Sequence, residues 1–145
     1  MKTLYSTTAT TAGGREGHVT SDDGNLDLEL SMPESLGGKG GNKTNPEQLF
    51  AAAYSASFGN ALQRVAQKEA IDMGSFSVTA SVEIGKMEEG GMGLAVTLDC
   101  ILPGIEVEAG EKLVNEAYEV CPYSLATMDN IDVTLNLILD EDEEE

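Results

Sequence analysis

The segment from Asn45 to Val65 constrains this chain more than any other. Asn45 can cap a helix through its side-chain oxygen, Pro46 suits the first helical position, and Gln48 stands where a capping box wants its second member. Leu49, Phe50, Ala53, Tyr54, Phe58, Ala61, Leu62 and Val65 follow, with few polar residues among them before Gln63. A helix that apolar is predicted to be central and buried on most sides.

Around it the pattern is that of strands. Leu4 to Ala12 is Thr-rich and reads as a strand, Gly13-Gly14 as a turn, and His18 to Ser21 as a second short strand. Asp22-Asp23-Gly24-Asn25 is a hairpin signal, after which Leu26, Leu28 and Leu30 alternate with Asp27, Glu29 and Ser31 as in a half-buried strand. Leu36 to Thr44 is a Gly-rich loop. Beyond Met73-Gly74, Val78, Ala80, Val82 and Ile84 share one face. Glu89-Gly90-Gly91 turns the chain, and Leu94, Val96, Leu98 and Cys100 line the answering strand. Glu106 to Val120 is a second helix with Leu113, Val114, Ala117 and Val120 as its apolar stripe, ended by Cys121-Pro122. Ile131, Val133, Leu135 and Leu137 form a last strand. The order predicts an α+β fold with a mostly antiparallel sheet and two main helices. One domain is expected over residues 1–139, followed by an acidic, disordered tail at 140–145.

The formal net charge is −18, and setting aside the six acidic residues Asp140 to Glu145 leaves −12. A chain so acidic repels phosphate backbones and lacks a basic patch for anionic lipid, so neither nucleic acid nor membrane is an expected partner. Met1 to Gly13 is polar, without the apolar stretch of a secretory leader, and Ala51 to Ala61 is too short and too polar to span a bilayer. The expected compartment is the cytoplasm. Two cysteines, Cys100 and Cys121, do not make a disulfide scaffold, and His18, the sole histidine, excludes a multi-histidine metal site. Gly38 to Thr44 resembles a phosphate-binding loop but holds Asn42 where glycine must precede the Lys-Thr pair, so it reads as a flexible loop.

Three segments carry a specific pattern: Gly13-Gly14-Arg15-Glu16-Gly17; Thr44-Asn45-Pro46-Glu47-Gln48-Leu49-Phe50-Ala51-Ala52, running on to Tyr54-Ser55-Ala56-Ser57-Phe58; and Val120-Cys121-Pro122-Tyr123-Ser124 with Asn130-Ile131-Asp132-Val133-Thr134. In these the chain resembles the organic hydroperoxide resistance proteins of the OsmC superfamily. The resemblance implies the OsmC-like fold, an intertwined homodimer, and a thiol peroxidase that reduces alkyl or fatty-acid hydroperoxides in the oxidative-stress response. It places the peroxidatic cysteine at position 57, matches Cys121 to the resolving cysteine, and matches Arg15 and Glu47 to the pair that activates the thiolate. No cofactor is implied; the reducing equivalents would come from a dithiol, lipoyl groups on partner proteins in this family. A thiol ionises near pH 8.5 unless a cation lowers that value. Arg15 is a permanent cation, and Glu47 can hold it by two hydrogen bonds. Cys121 is expected at a helix C-terminus, where the dipole disfavours a thiolate and suits the slower, resolving role. Glu47 and Ser57 are ten residues apart on one helix, about 15 Å, so a second chain is expected to bring its own Arg15 and Glu47 to the site. Phe50, Tyr54, Phe58 and Tyr123 are the apolar residues expected to shape a substrate pocket.

Position 57 departs from that family, because it holds serine. A hydroxyl is far harder to ionise than a thiol and forms no sulfenic acid, so the chain as written is expected not to turn over hydroperoxides. An engineered exchange and a natural loss both account for it: Arg15, Glu47 and Cys121 are kept, whereas Leu125, Met128 and Asp129 depart from the usual family residues. A reading of another class is a non-catalytic protein of the same fold that binds a lipid or small organic acid, with Arg15 holding the carboxylate. Taken singly, Arg15 reads as a turn arginine, Glu47 as a helix N-terminal acid, Ser57 as a small packing residue and Cys121 as a buried hydrophobe. Only their joint spacing favours chemistry. Cys100, on an apolar strand face, reads as core.

Overall fold

The computed structural model describes residues 1–139, and the acidic segment 140–145 lies outside them. The chain divides into two compact units, Met1–Leu49 and a second that starts at Phe50.

The first unit is a three-stranded antiparallel meander of β1 (Ala9–Ala12), β2 (His18–Ser21) and β3 (Asp27–Glu29), with a tight 3-10 turn at Gly14–Glu16 between the first two strands. The predicted hairpin at 22–25 joins β2 to β3; the Ser21 N–H donates to the Leu26 carbonyl at 2.8 Å, and Asp23 Oδ1 accepts the Asn25 N–H at 3.0 Å. Two expectations shift. The first strand is confined to Ala9–Ala12 instead of starting at Leu4, and β3 is exposed along its length, with Leu30 just beyond it as the buried leucine. A three-residue strand at a sheet edge has only one neighbour to hide its side chains.

In the second unit, α1 (Pro46–Lys68, its first turn belonging to the first unit) is followed by β4 (Ser77–Lys86), β5 (Met92–Ile101), α2 (Val107–Val120), the short α3 (Pro122–Thr127) and β6 (Asp132–Ile138). β4 and β5 are antiparallel, and the two predicted stripes meet: Val78 faces Cys100, Ala80 faces Leu98, Val82 faces Val96 and Ile84 faces Leu94. β6 lies on the other side of β5 and runs parallel to it, a pairing that needs a crossover connection, which α2 and α3 supply. The architecture is α+β, and three of the four strand pairings are antiparallel.

The core of this unit gathers Tyr54, Phe58, Leu62 and Val65 of α1, Leu113, Val114 and Ala117 of α2, and Val96, Leu98 and Cys100 of β5. α1 is less enclosed than predicted: its buried residues form one stripe, while Ala52, Ala56, Asn60 and Gln63 are exposed. Gly110 lets α2 approach the sheet, since a Cβ there would stand 2.9 Å from Leu137 Cδ2. No helix among the described residues is long and apolar enough to cross a membrane.

Candidate active site

Arg15 is presented by a turn that only glycines allow. Gly13 and Gly14 have φ of +91° and +60°, left-handed values that glycine adopts without a Cβ penalty. Gly17 closes the turn, and a Cβ on it would stand 1.7 Å from the Ala12 carbonyl oxygen. Glu16 secures the turn from outside by accepting the Met32 N–H at 3.2 Å. Glu47 comes from the first turn of α1, whose start Asn45 caps by accepting the Gln48 N–H at 2.8 Å. Gln48 does not reach back to complete a capping box; its side-chain oxygen accepts the Thr44 hydroxyl at 2.8 Å instead. Thr44 in turn pairs with the end of β3: its N–H donates to the Glu29 carbonyl at 3.2 Å, and its carbonyl accepts the Ser31 N–H at 3.0 Å.

These ties bring Arg15 and Glu47 together. Arg15 Nη1 donates to Glu47 Oε1 and Nη2 to Oε2, each at 2.8 Å. Glu47's hydrogen bonds hold the Arg15 pKa above its ordinary value, and the same bonds hold the Glu47 carboxyl below its ordinary value. With 29 % and 17 % of their side chains exposed, the guanidinium keeps an open flank while its orientation is set by the fork.

Ser57 and Cys121 form the second pair. Ser57 is half-buried on α1, Cys121 is fully buried, and Ser57 Oγ stands 3.5 Å from Cys121 Sγ. Cys121 stands at the C-terminus of α2, as expected, and also at the start of α3. Its N–H donates to the Ala117 carbonyl at the end of α2, and its carbonyl accepts the Leu125 N–H at the start of α3. Pro122 stops α2 and also serves as the first residue of α3, so helix ends of opposite polarity meet at the cysteine. A buried hydroxyl cluster that sequence reading missed anchors α3. Tyr54 Oη is 2.8 Å from Ser124 Oγ and 3.2 Å from Thr127 Oγ1. Cys100 is apart from this chemistry: it is fully buried on β5, and burial pushes its thiol pKa up to about 12.

Of the four predicted pocket residues, Tyr54 and Phe58 are fully buried core, Phe50 is half-buried, and Tyr123 is 39 % exposed. Phe50, Tyr54 and Tyr123 form a run of tilted rings with centroids 5.9 and 6.0 Å apart. A groove of about 490 Å³ opens beside Ser57 and is walled by Ala61, Val65, Val120 and Pro122, with Asn60, Arg64 and Lys68 along it. In the loop that resembles a phosphate-binding motif, Lys43 is paired with Glu29 at 3.1 Å. Among the described residues, no group of three or more His, Cys, Asp or Glu could hold a metal ion.

The α+β chain thus sets a hydroxyl 3.5 Å from a buried thiol and, separately, an arginine forked onto a glutamate. Residues 38–136 match the family described as OsmC-like protein. The chain is 49 % identical to the organic hydroperoxide resistance protein of Xanthomonas axonopodis pv. citri, over 94 % of this chain and 96 % of that one. It is 45 % identical to the organic hydroperoxide resistance protein OhrB of Bacillus subtilis, over 92 % and 98 %. Among solved structures, an organic hydroperoxide resistance protein from Elizabethkingia anophelis superposes with a TM-score of 0.91 at 48 % identity, covering 97 % of this chain and all of that one. One from Legionella pneumophila gives 0.90 at 46 %, covering 95 % and 100 %. The chain belongs to the OsmC-like family, in its organic hydroperoxide resistance branch.

Proposed function

We propose that this protein has the scaffold of an organic hydroperoxide reductase whose peroxidatic position is held by Ser57, leaving the chain itself without peroxidase turnover. The observation that carries this reading is the 3.5 Å approach of Ser57 Oγ to Cys121 Sγ, the spacing at which a thiol in place of that hydroxyl could be oxidised and then resolved. With cysteine at 57, the thiolate attacks the O–O bond of a hydroperoxide. That bond breaks, the alkoxide leaves and takes up a proton as the alcohol, and sulfur becomes a sulfenic acid. The Cys121 thiol condenses with it, water departs, and a disulfide forms. A dithiol then reduces the disulfide and is itself oxidised, lipoyl groups being the reductant the family resemblance implies. With serine, the first step fails at its start, because the hydroxyl neither ionises near neutral pH nor accepts an oxygen atom.

Arg15 stabilises the attacking anion in this reading, and Glu47 orients it. Glu47 and Ser57 are separated by ten residues of α1, about 15 Å of rise. The arginine that serves a given Ser57 is therefore assigned to the partner protomer of a homodimer. The exposed small residues of α1, Ala52 and Ala56, are consistent with a face that another chain covers.

The test compares this protein with Ser57→Cys, following consumption of cumene hydroperoxide with dihydrolipoamide. Turnover by the cysteine form alone is the expected result. If both forms are inactive, the peroxidase reading fails and a binding role for the same fold takes its place.

A further inference from the structure

The short helix α3 is built inside out. Its two buried residues, Ser124 and Thr127, both carry hydroxyls, while Leu125 is 55 % exposed and Ala126 also faces outward. A surface helix ordinarily buries its apolar side. Here the inward face is satisfied by one phenol: Tyr54 Oη stands 2.8 Å from Ser124 Oγ and 3.2 Å from Thr127 Oγ1. Thr127 can give its own proton to the Tyr123 carbonyl at 3.1 Å, so donation can run in one direction, Ser124 to Tyr54 to Thr127 to backbone. A satisfied network of this kind fixes positions more sharply than apolar packing does, because each bond is directional.

The network lies next to the Ser57–Cys121 pair. Tyr54 precedes Ser57 by three residues on α1, and Ser124 follows Cys121 by three. The hydroxyl contact and the 3.5 Å contact of Ser57 with Cys121 are therefore successive rungs between the same two segments, about 4.5 Å of helix apart. Cys121 is the residue that starts α3, so a displacement of α3 carries its thiol along, and a disulfide tolerates little displacement of its two Cβ atoms. We propose that Tyr54 and Ser124 are positioning residues that hold the Cys121 thiol within bonding reach of position 57 and thereby set how readily a 57–121 disulfide forms. Neither touches the reacting atoms. The use of that disulfide in a reaction rests on the peroxidase reading; control of the distance does not.

The test uses the full-length Ser57→Cys protein, equilibrated with mixtures of reduced and oxidised glutathione. The two protein thiols give two electrons and two protons to glutathione disulfide, the protein disulfide forms, and two glutathione thiols are released. Alkylation followed by intact mass and peptide mapping gives the effective concentration of the thiol pair. Tyr54→Phe in this background is expected to lower it by about tenfold or more. The double variant Tyr54→Phe/Ser124→Ala no longer buries an unpaired hydroxyl at position 124, so its urea midpoint should stand above that of Tyr54→Phe. Its effective concentration is expected to stay as low as in Tyr54→Phe, whereas a merely structural role would make the two quantities recover together. The proposal is overturned by an effective concentration that Tyr54→Phe leaves unchanged, by one that recovers with the midpoint in the double variant, or by a Ser57→Cys protein that never forms the 57–121 disulfide. The expected disulfide behaviour without any consumption of cumene hydroperoxide would strike the peroxidase reading alone.

Discussion

Arg15 and Glu47 are joined by two parallel hydrogen bonds of 2.8 Å, and that geometry predicts how each responds to exchange. Lysine at position 15 keeps the charge but cannot engage both oxygens, so Arg15→Lys in the Ser57→Cys background should lower kcat/KM by about tenfold or more, the scale of one charge-assisted bond. The Glu47 carboxyl is held below its ordinary value in the folded protein. Its contribution to stability is therefore complete above the unfolded-state pKa and fades as pH falls through the folded one. Glu47→Gln should cost about 1 kcal/mol at pH 7, given the pair's partial exposure, and the urea midpoints of the two proteins should converge as pH falls through the depressed folded-state pKa of Glu47. At the second pair, Ser57→Cys exposed to one equivalent of hydroperoxide should lose two hydrogens by intact mass, with the disulfide mapping to residues 57 and 121. Oxidation stopping at a sulfenic acid would show that the 3.5 Å approach is not productive. Arg15, Glu47, Ser57 and Cys121 were all legible in the sequence because each stands in a short motif. Ser124 and Thr127 were not, because their partner Tyr54 lies about 70 residues away and only folding sets that distance.

At the scale of elements, α3 depends on contacts made at a distance. Six residues are too few to hold a helix by backbone bonds alone, and α3 is tied down through Tyr54 Oη. Tyr54→Phe removes that hydroxyl and leaves Ser124 Oγ buried without its partner, so stability should fall by about 1–3 kcal/mol in chemical denaturation. An unchanged midpoint would mean that packing alone fixes α3. The inward stripes of β4 and β5 were read from alternation, which excludes a slip of one residue because it would turn Leu98 and Cys100 out of the core but leaves a slip of two undecided. The parallel pairing of β6 with β5 carried no such mark: the alternation of Val133, Leu135 and Leu137 is the same for either strand direction. α1 looked more enclosed than it is because alanine and glycine suit a core and a close docking face equally. Val120 fits the stripe of α2 by period, yet it is the last residue of α2 and lies beside an open groove.

At the scale of the whole molecule, the assignment of Arg15 to a partner's Ser57 predicts an assembly. Sedimentation equilibrium at neutral pH and moderate salt should return twice the 15.3 kDa chain mass, whereas a monomer that regains turnover as Ser57→Cys would show that one chain completes its own site. The net charge of −18 should make any such dimer weaker at low ionic strength, since screening relieves repulsion between like-charged copies. By itself the sequence determined the fold class, the inward stripes of β4 and β5, the capped start of α1 and the four residues of the two pairs, because local periodicity, glycine-dependent turns and short motifs are written along the chain. Tertiary structure decided the direction of β6, the double helix end at Cys121, the hydroxyl cluster under α3 and the groove that gathers Arg64, Lys68 and Val120. Each of these is a distance between residues far apart in order, and such distances exist only once the core has closed.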